Sequence, residues 1–205
     1  VGAGGLTGTT YHHNFQIQEF RRPEFEVVTS LDERPYVLGE HARPGVSAAY
    51  YAGGPLPNAD ADWLVSWQPG SYAPPGLSDW QFGTWSPWWW ERSEESLLSG
   101  QATLAGTTDP SGEHHLRIDF LSLDPPRPMA VHVEAGVMDE NRQRWASGQD
   151  LVLHPASLYV GLRTDRPFYE QGQPIAVGAL AVDIDGHEIA DAPVQLAFQR
   201  LDWRY

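Results

Sequence analysis

Two stretches of the sequence repeat one another at a distance of 133 residues. When residues 21–67 are laid over 154–200 without a gap, eight of the 47 positions are identical, against about three expected by chance. The identical pairs include Asp32 with Asp165, Tyr36 with Tyr169, Gly39 with Gly172, Gly53 with Gly186 and Ala59 with Ala192. The chain is therefore predicted to hold two copies of one structural unit in tandem.

Apolar residues alternate with polar ones, as in strands that bury one face. The alternating positions are Trp63, Val65 and Trp67; Leu116, Ile118 and Phe120; Val131, Val133, Ala135 and Val137; and Val194, Leu196 and Phe198. Turn clusters such as GGPLPN and DIDG separate them. Short strands between such turns predict an all-β protein of antiparallel β-sandwich domains, similar to fibronectin or immunoglobulin domains. A short helix is considered only for SEESLLS, which begins at Ser93.

Each copy contains a Tyr-x-x-Gly segment, which we interpret as a tight turn whose glycine supplies a positive φ. The DIDG segment, Asp183–Gly186, is too short for a calcium-binding loop, which needs about 12 residues with ligands at fixed offsets. We interpret it as a hairpin turn that matches YAGG in the first copy.

The repeat also predicts the domain boundaries. Residues 1–23 are expected to form a flexible start and the closing strand of a preceding domain. Residues 24–155 are expected to form one complete sandwich, with a Trp- and Pro-rich insertion at 68–100. Residues 156–205 are expected to be the truncated N-terminal part of a following domain.

The composition excludes several classes of function. The formal net charge of −14 disfavours binding to nucleic-acid phosphates. The chain has no cysteine, so it can form no disulfide, thiolate metal site or cysteine nucleophile. No apolar run approaches the roughly 20 residues of a membrane span. We expect no nucleic-acid partner and no direct insertion into a membrane.

The stretch from Ser71 to Arg92 is rich in tryptophan, which suggests either a ligand platform or packing. Its candidate aromatic surface consists of Trp80, Trp85, Trp88, Trp89 and Trp90. Stacked indoles recognise sugars and other flat apolar faces. Three adjacent tryptophans of an extended segment cannot share one face, however, so a flat platform of three is disfavoured. We interpret the stretch as a long hairpin insertion that packs on its own sandwich or on a neighbouring domain.

No catalytic, metal-binding or cofactor-binding motif is evident in the sequence. Neighbouring histidines on a strand point to opposite faces, so neither His12–His13 nor His114–His115 chelates a metal by itself. Asp60 and Asp62 are two carboxylates spaced along one strand face, as in a glycosidase pair. The alternation places them opposite Trp63 and therefore towards solvent.

The two junctions between units show the same design. RRP, which ends at Pro23, and HPA, which contains Pro155, occupy equivalent places in the repeat. Proline fixes its own φ and restricts the preceding residue, so we expect semi-rigid joints. The residues expected to form interdomain ion pairs and packing contacts are Glu19, Phe20, Arg21, Arg22, Pro23, Leu153 and Pro155.

In combination, several segments resemble bacterial α2-macroglobulin-like proteins. These segments are FQIQEFRRPEFEV at 15–27, AAYYAGGPLPNADADWLVSW at 48–67, YAPPGLSDWQFGTWSPWWW at 72–90 and VHVEAGVMDENRQRWASGQDLVLHPASLYVGL at 131–162. The resemblance covers nearly the whole chain after residue 12. It implies tandem macroglobulin-type domains and an extracytoplasmic location, either periplasmic or at the cell surface.

The family traps proteases: cleavage of a bait region makes the inhibitor rearrange and cage the attacker. The chain lacks the cysteine of the family's thioester, and no bait region can be identified. The resemblance therefore implies a non-enzymatic scaffold segment without a cofactor, whose partners are neighbouring domains and, through the whole protein, target proteases. Two alternatives remain: a secreted carbohydrate-binding β-sandwich that uses the Trp-rich insertion, and a surface adhesin stack.

Overall fold

A computed structural model describes residues 24–83, 98–121, 123–124 and 126–199. Within these residues the regular structure consists of twelve strands. They are β1 Phe25–Ser30, β2 Tyr36–Val37, β3 His41–Ala42, β4 Gly45–Tyr50, β5 Asp60–Pro69, β6 Gly100–Thr107, β7 Glu113–His115, β8 Ile118–Asp119, β9 Met129–Met138, β10 Arg144–His154, β11 Leu158–Thr164 and β12 Val177–Asp183. The all-β prediction is confirmed. In the part of the chain that is described, no helix is long and apolar enough to cross a membrane.

Eight of the first ten strands build a sandwich, and the other two, β3 and β8, pair with each other in a two-stranded sheet. One sheet has five strands in the order β2-β10-β9-β5-β6, and the facing sheet has three in the order β1-β4-β7. All pairs are antiparallel except β2 with β10, where Tyr36 lies beside Leu153 in a parallel bridge. The two sheets join along one side, because the Thr29 hydroxyl of β1 donates to the Ser147 carbonyl of β10 at 2.7 Å.

The apolar core lies between these sheets. Trp63 of β5 is fully buried, together with Phe25 of β1 and Val133 of β9. The indole Nε1 of Trp63 donates to His114 Nδ1 at 3.0 Å, so the largest core side chain keeps its hydrogen bond. The predicted alternation is confirmed for Trp63 and Val65 of β5 and for Val131, Val133, Ala135 and Val137 of β9, which are all buried. Trp67, which was expected to be buried with them, is 37% exposed.

The prediction of a strand at Val194–Phe198 is wrong. Residues 192–199 form no regular strand, and Val194, Leu196 and Phe198 are exposed. Their counterparts in the first copy lie in β5, which pairs with β6 on one side and β9 on the other. No described strand supplies such pairing to 192–199, and a strand requires a ladder partner. At Leu116–Phe120 the burial alternates as expected, although only Ile118–Asp119 forms a strand.

The repeat is present in the backbone pairing. Phe25 pairs with Tyr50 in the first copy, and Leu158 pairs with Asp183 at the positions 133 residues later. The hairpin ends agree as well, since the bridge between Ala49 and Pro55 recurs between Val182 and Glu188. DIDG is therefore the hairpin turn that matches YAGG, as predicted.

The Tyr-x-x-Gly segments also adopt matching tight turns. Glu40 N donates to Val37 O across Gly39, and Gln173 N donates to Glu170 O across Gly172. The two glycines have φ of 89° and 87°, a region that favours glycine. The few identical positions therefore correspond to a shared backbone conformation. The domain boundaries at 23 and 155 stay a prediction.

Candidate functional site at the junction of the repeats

The connection between the two copies is short. Strand β10 ends at His154 and β11 begins at Leu158, so only residues 155–157 lie between them. Leu153 is buried in the core of the sandwich, and Pro155 is half-buried in the connection. The other predicted junction residues, Glu19, Phe20, Arg21, Arg22 and Pro23, lie outside the described residues.

A segment of the first copy reaches across this junction. Residues 70–83, which we call the strap, follow β5 and belong to the predicted insertion. Gln81 N donates to Leu162 O at 2.9 Å, and Leu162 N donates to Gln81 O at 3.0 Å. The strap therefore pairs, through its main chain, with β11 of the second copy. The interpretation of the insertion as packing on a neighbouring unit agrees with this part of it.

Aromatic rings of the strap cover glycines of the second copy. The Trp80 ring stacks on the Arg163 guanidinium, whose carbon lies 4.6 Å from the ring centroid. A Cβ added at Gly161 would lie 2.8 Å from the Phe82 ring, and one at Gly178 would lie 3.3 Å from Trp80. The absence of side chains at these glycines is what lets the rings approach. Trp85, Trp88, Trp89, Trp90 and the helix considered at Ser93 lie outside the described residues.

Three further rings form what we call the seam cluster: Tyr72 of the strap, His154 at the end of β10 and Tyr159 of β11. Tyr72 stands edge-on to His154, with ring centroids 4.6 Å apart, and lies 5.3 Å from Tyr159. The Tyr72 hydroxyl donates to Ile184 O at 2.7 Å. His154 Nδ1 and the Tyr159 hydroxyl lie 2.7 Å apart. One ring from each of three segments thus meets at the junction.

Burial controls the ionisation of this cluster. Because His154 is withdrawn from water, its pKa is lowered and the neutral imidazole is favoured. Burial, with a smaller contribution from Tyr72, raises the pKa of Tyr159 far above its ordinary value. The pKa of Tyr72 is raised by burial and then by the nearby Asp185 and Asp183 carboxylates. At neutral pH the cluster carries no charge.

The sequence analysis did not identify Tyr72, Tyr159 or Gly161 as junction residues. The repeat contained a signal, since Tyr159 stands where the first copy has the exposed Glu26. Similarly, Gly161 stands where the first copy has Val28, which is 49% exposed. Replacement of an exposed acid by tyrosine, two residues before a glycine, indicates that this face is covered in the second copy.

The two carboxylates considered as a catalytic pair, Asp60 and Asp62, lie on the surface of the five-stranded sheet. Asp60 is exposed, as predicted, and Asp62 accepts two hydrogen bonds from the Arg144 guanidinium at 3.1 and 2.6 Å. His132 pairs with Asp150 at 2.7 Å. These pairs join strands of one sheet, and they give Asp62 a structural partner.

One turn brings together groups that could each offer a ligand atom to a metal. Asp183, Asp185 and His187 have such atoms within 4.8 Å of one another. Asp183 already accepts from His187 N at 2.8 Å and lies 3.0 Å from its Nδ1. These contacts brace the hairpin turn described above.

Comparison with known proteins finds relatives that share this fold. The alpha-2-macroglobulin homolog of Nostoc sp. is 22% identical over 203 residues, which cover 99% of this chain and 10% of the homolog. The native conformation of Escherichia coli alpha-2-macroglobulin matches 83% of this chain and 11% of its own, with TM-score 0.59 and 15% identity. The chain resembles bacterial α2-macroglobulins. The resemblance inferred from the sequence is thus confirmed.

Two further matches complete the comparison. Escherichia coli alpha-2-macroglobulin activated by porcine elastase gives a TM-score of 0.60 at 16% identity, covering 82% of this α2-macroglobulin-like chain and 15% of its own. Circularly permutated Ras protein 2 of Dictyostelium discoideum is 27% identical over 179 residues, or 85% of this chain and 4% of that protein. No family model matches the sequence. The chain spans a tenth or less of the length of these curated relatives.

Proposed function

We propose that the chain is a non-enzymatic scaffold segment of a longer, extracytoplasmic, α2-macroglobulin-like protease trap. In this segment, residues 24–155 form one macroglobulin-type domain and a second begins at 156. The strap and the seam cluster hold the two domains at a defined angle. The neighbouring domains of the longer protein are its direct partners, and proteases are the targets of the whole trap.

The observation that carries the proposal is the main-chain pairing of Gln81 with Leu162. A cage keeps its shape only where successive domains resist bending at their joints. Gly- and Ser-rich linkers leave modules free to reorient. Here a three-residue connection is reinforced by backbone hydrogen bonds, a cation–π contact and the three packed rings of the seam cluster, two of them buried. The joint therefore has at least two separated points of attachment.

The test uses the longer protein that contains this segment. A caged protease still cleaves small peptides, but large protein substrates cannot reach it, so the ratio of the two activities measures trapping. The double variant Tyr72→Phe with Trp80→Ser removes one hydrogen bond and one stacked ring. We expect it to restore cleavage of the large substrate while both domains stay folded.

Tyr51→Ser is the matched control, because Tyr51 is 63% exposed and lies in the turn after β4, outside the strap. It should leave trapping unchanged. Scattering measures whether the junction of the double variant is loosened. If it is loosened and the variant still traps proteases fully, the proposed role of the joint is contradicted.

Carbohydrate binding is the second candidate, and one groove supports it. The groove has a volume of about 640 Å³ and is lined by Trp67 together with Gln68, Gln101, His132 and Asp150, among others. An aromatic ring beside polar groups suits a sugar. A glycan screen with tryptophan fluorescence decides between the candidates: saturable quenching that Trp67→Ala abolishes would favour carbohydrate binding.

A further inference from the structure

His154 lies where both units and the strap meet. Its backbone ends β10, and its carbonyl accepts a hydrogen bond from Leu38 N at 3.0 Å. Its ring contacts Tyr72 of the strap and Tyr159 of β11. The residue is only 4% exposed. A titratable side chain is thus enclosed by the segments whose contact defines the joint.

We propose that His154 makes this joint sensitive to pH, so that protonation of its imidazole releases the strap and the second unit from one another. This regulation rests on the proposed function of the junction as a stiff joint. The proposal follows from the hydrogen bonding, the charges and the packing around the ring.

With the Tyr159 hydroxyl as donor and His154 Nδ1 as acceptor, their hydrogen bond requires a neutral imidazole. The buried Tyr159 hydroxyl carries its proton and needs an acceptor, and His154 Nδ1 lies 2.7 Å away. The imidazolium has no free lone pair, because both of its nitrogens are donors. After protonation, His154 Nδ1 and the Tyr159 hydroxyl both point a hydrogen at each other. This contact is unfavourable until the hydroxyl rotates or the rings separate.

No described carboxylate compensates the new charge through a hydrogen bond to the imidazole. The strap, β11 and the β2 side bring Tyr72, Tyr159 and Tyr36 with Arg34 and Asp32. The turn beside Tyr72 brings Asp183, Asp185 and His187. Strand β9, which pairs with β10, carries His132 and Glu134 further along and is preceded by Arg127. Asp183 is already paired with His187. Arg34, stacked over Tyr36, carries a charge of the same sign as imidazolium. A buried charge without a partner is costly, so separation of the units, which hydrates it, is favoured.

The direction of the pH effect follows from linkage. The pKa of His154 is lowered in the closed joint, and it returns towards the ordinary value of about 6.5 when the ring is exposed. Below about pH 6.5 the open form therefore binds more protons. Closure is fully favoured above this pH and weakens as the pH falls, by at most about tenfold in the closed-to-open ratio per pH unit for one proton.

The experiment measures the distance between the two units in the full 205-residue chain. The chain has no cysteine, so spin labels can be attached at Thr103→Cys on β6 and Gln173→Cys in the second unit. We expect one narrow distance distribution at pH 7.5 that broadens at pH 5.0. In His154→Asn, whose amide can accept from Tyr159 but cannot titrate, it should stay narrow at both values.

The controls are His115→Asn, which replaces an exposed histidine, and a label pair within the first unit at Glu33→Cys and Thr103→Cys. The former should keep the wild-type response, and the latter should show no broadening. A wild-type distribution that stays narrow at pH 5.0, or equal broadening in His154→Asn, overturns the pH switch but leaves the stiff joint in place. A broad distribution at both pH values overturns the stiff joint itself.

A second measurement needs no substitution at His154. Nuclear magnetic resonance of the wild-type chain follows the imidazole nitrogens during a titration. Titration of His154 below pH 6.5, together with exchange broadening at the seam cluster, supports the switch. A midpoint at or above pH 6.5 overturns it.

Discussion

At Gly161 the junction leaves no room for a side chain. The Phe82 ring occupies the space that any Cβ at this position would need. Its counterpart Val28 carries a full side chain on a face that nothing described covers. The same strand position is thus an ordinary surface residue in one copy and a docking point in the other.

Gly161→Ala should weaken strap docking by about 1–3 kcal/mol, because an added methyl group at 2.8 Å from Phe82 overpacks the contact. Phe82→Ala should remove part of the packing by itself. In the double variant Gly161→Ala with Phe82→Ala, docking should be weakened by less than the sum of the two single effects. The added methyl group then fills the space that the Phe82 ring has left. Hydrogen exchange of the Leu162 amide measures docking, and strictly additive effects would contradict this account.

Trp63 is the largest fully buried side chain of the first sandwich. Trp63→Ala should lower the free energy of unfolding by about 3–5 kcal/mol, because it leaves a large cavity and removes the hydrogen-bond partner of His114. Urea denaturation followed by circular dichroism gives the value.

Asp62→Ala, one residue away, is the matched control for Trp63→Ala. It breaks only the exposed pair with Arg144 and should cost about 0–1 kcal/mol. Equal effects of the two substitutions would show that the core is not organised around the indole.

At the scale of elements, the strap occupies the place that β10 has in the first copy. Thr29 of β1 uses its amide and hydroxyl to bond Ser147 of β10. The equivalent residue, Leu162 of β11, bonds Gln81 of the strap instead. The free edge of β11 is therefore covered at this point by the neighbouring unit, which is one of the ways proteins protect strand edges.

Trypsin can report on this edge. Trp80→Ala removes the ring stacked on Arg163, so cleavage of the Arg163–Thr164 bond should accelerate several-fold. Cleavage after Arg142, in the exposed turn between β9 and β10, provides an internal reference and should not change. Trp67→Ala, a substitution of a half-exposed indole outside the strap, is the matched variant. An unchanged rate at Arg163 would contradict the shielding role of Trp80.

Period-two alternation predicted β5 and β9 because each buries one face in a single core. It failed at Val194–Phe198, where the same alternation is present without a neighbouring strand among the described residues. Alternation records which face can be buried, whereas a strand also needs a backbone partner. Alternation therefore predicted a strand correctly only where a partner strand lies among the described residues.

The sequence indicated where the two repeats join, but not which side chains meet there. The repeat predicted a boundary near Pro155, where the structure has the connection between β10 and β11, and the family resemblance indicated the fold. The pairing of Gln81 with Leu162 joins residues far apart in sequence, with neither charge nor motif to link them. Tyr72 and His154 became recognisable only once the backbone brought them within 4.6 Å.

At the scale of the whole molecule, the strap couples the order of the second unit to the first. Replacing residues 70–83 with a Gly- and Ser-rich segment of equal length should remove exchange protection from β11 and β12, because isolated two-stranded sheets are marginally stable. Strands β5 and β9 should keep theirs, since their core is independent of the strap. Hydrogen exchange with mass spectrometry resolves both regions. Unchanged protection of β11 and β12 would contradict the coupling.

The placement of the strap also sets an order of events on the ribosome. Gln81 is synthesised about 80 residues before Leu162, which corresponds to roughly 4–16 s at ordinary elongation rates. The first sandwich cannot close before β10 emerges, and only three residues separate β10 from β11. The strap is therefore available as soon as the new hairpin leaves the tunnel, and nascent β11 meets a covalently attached partner before any other chain can reach its edge.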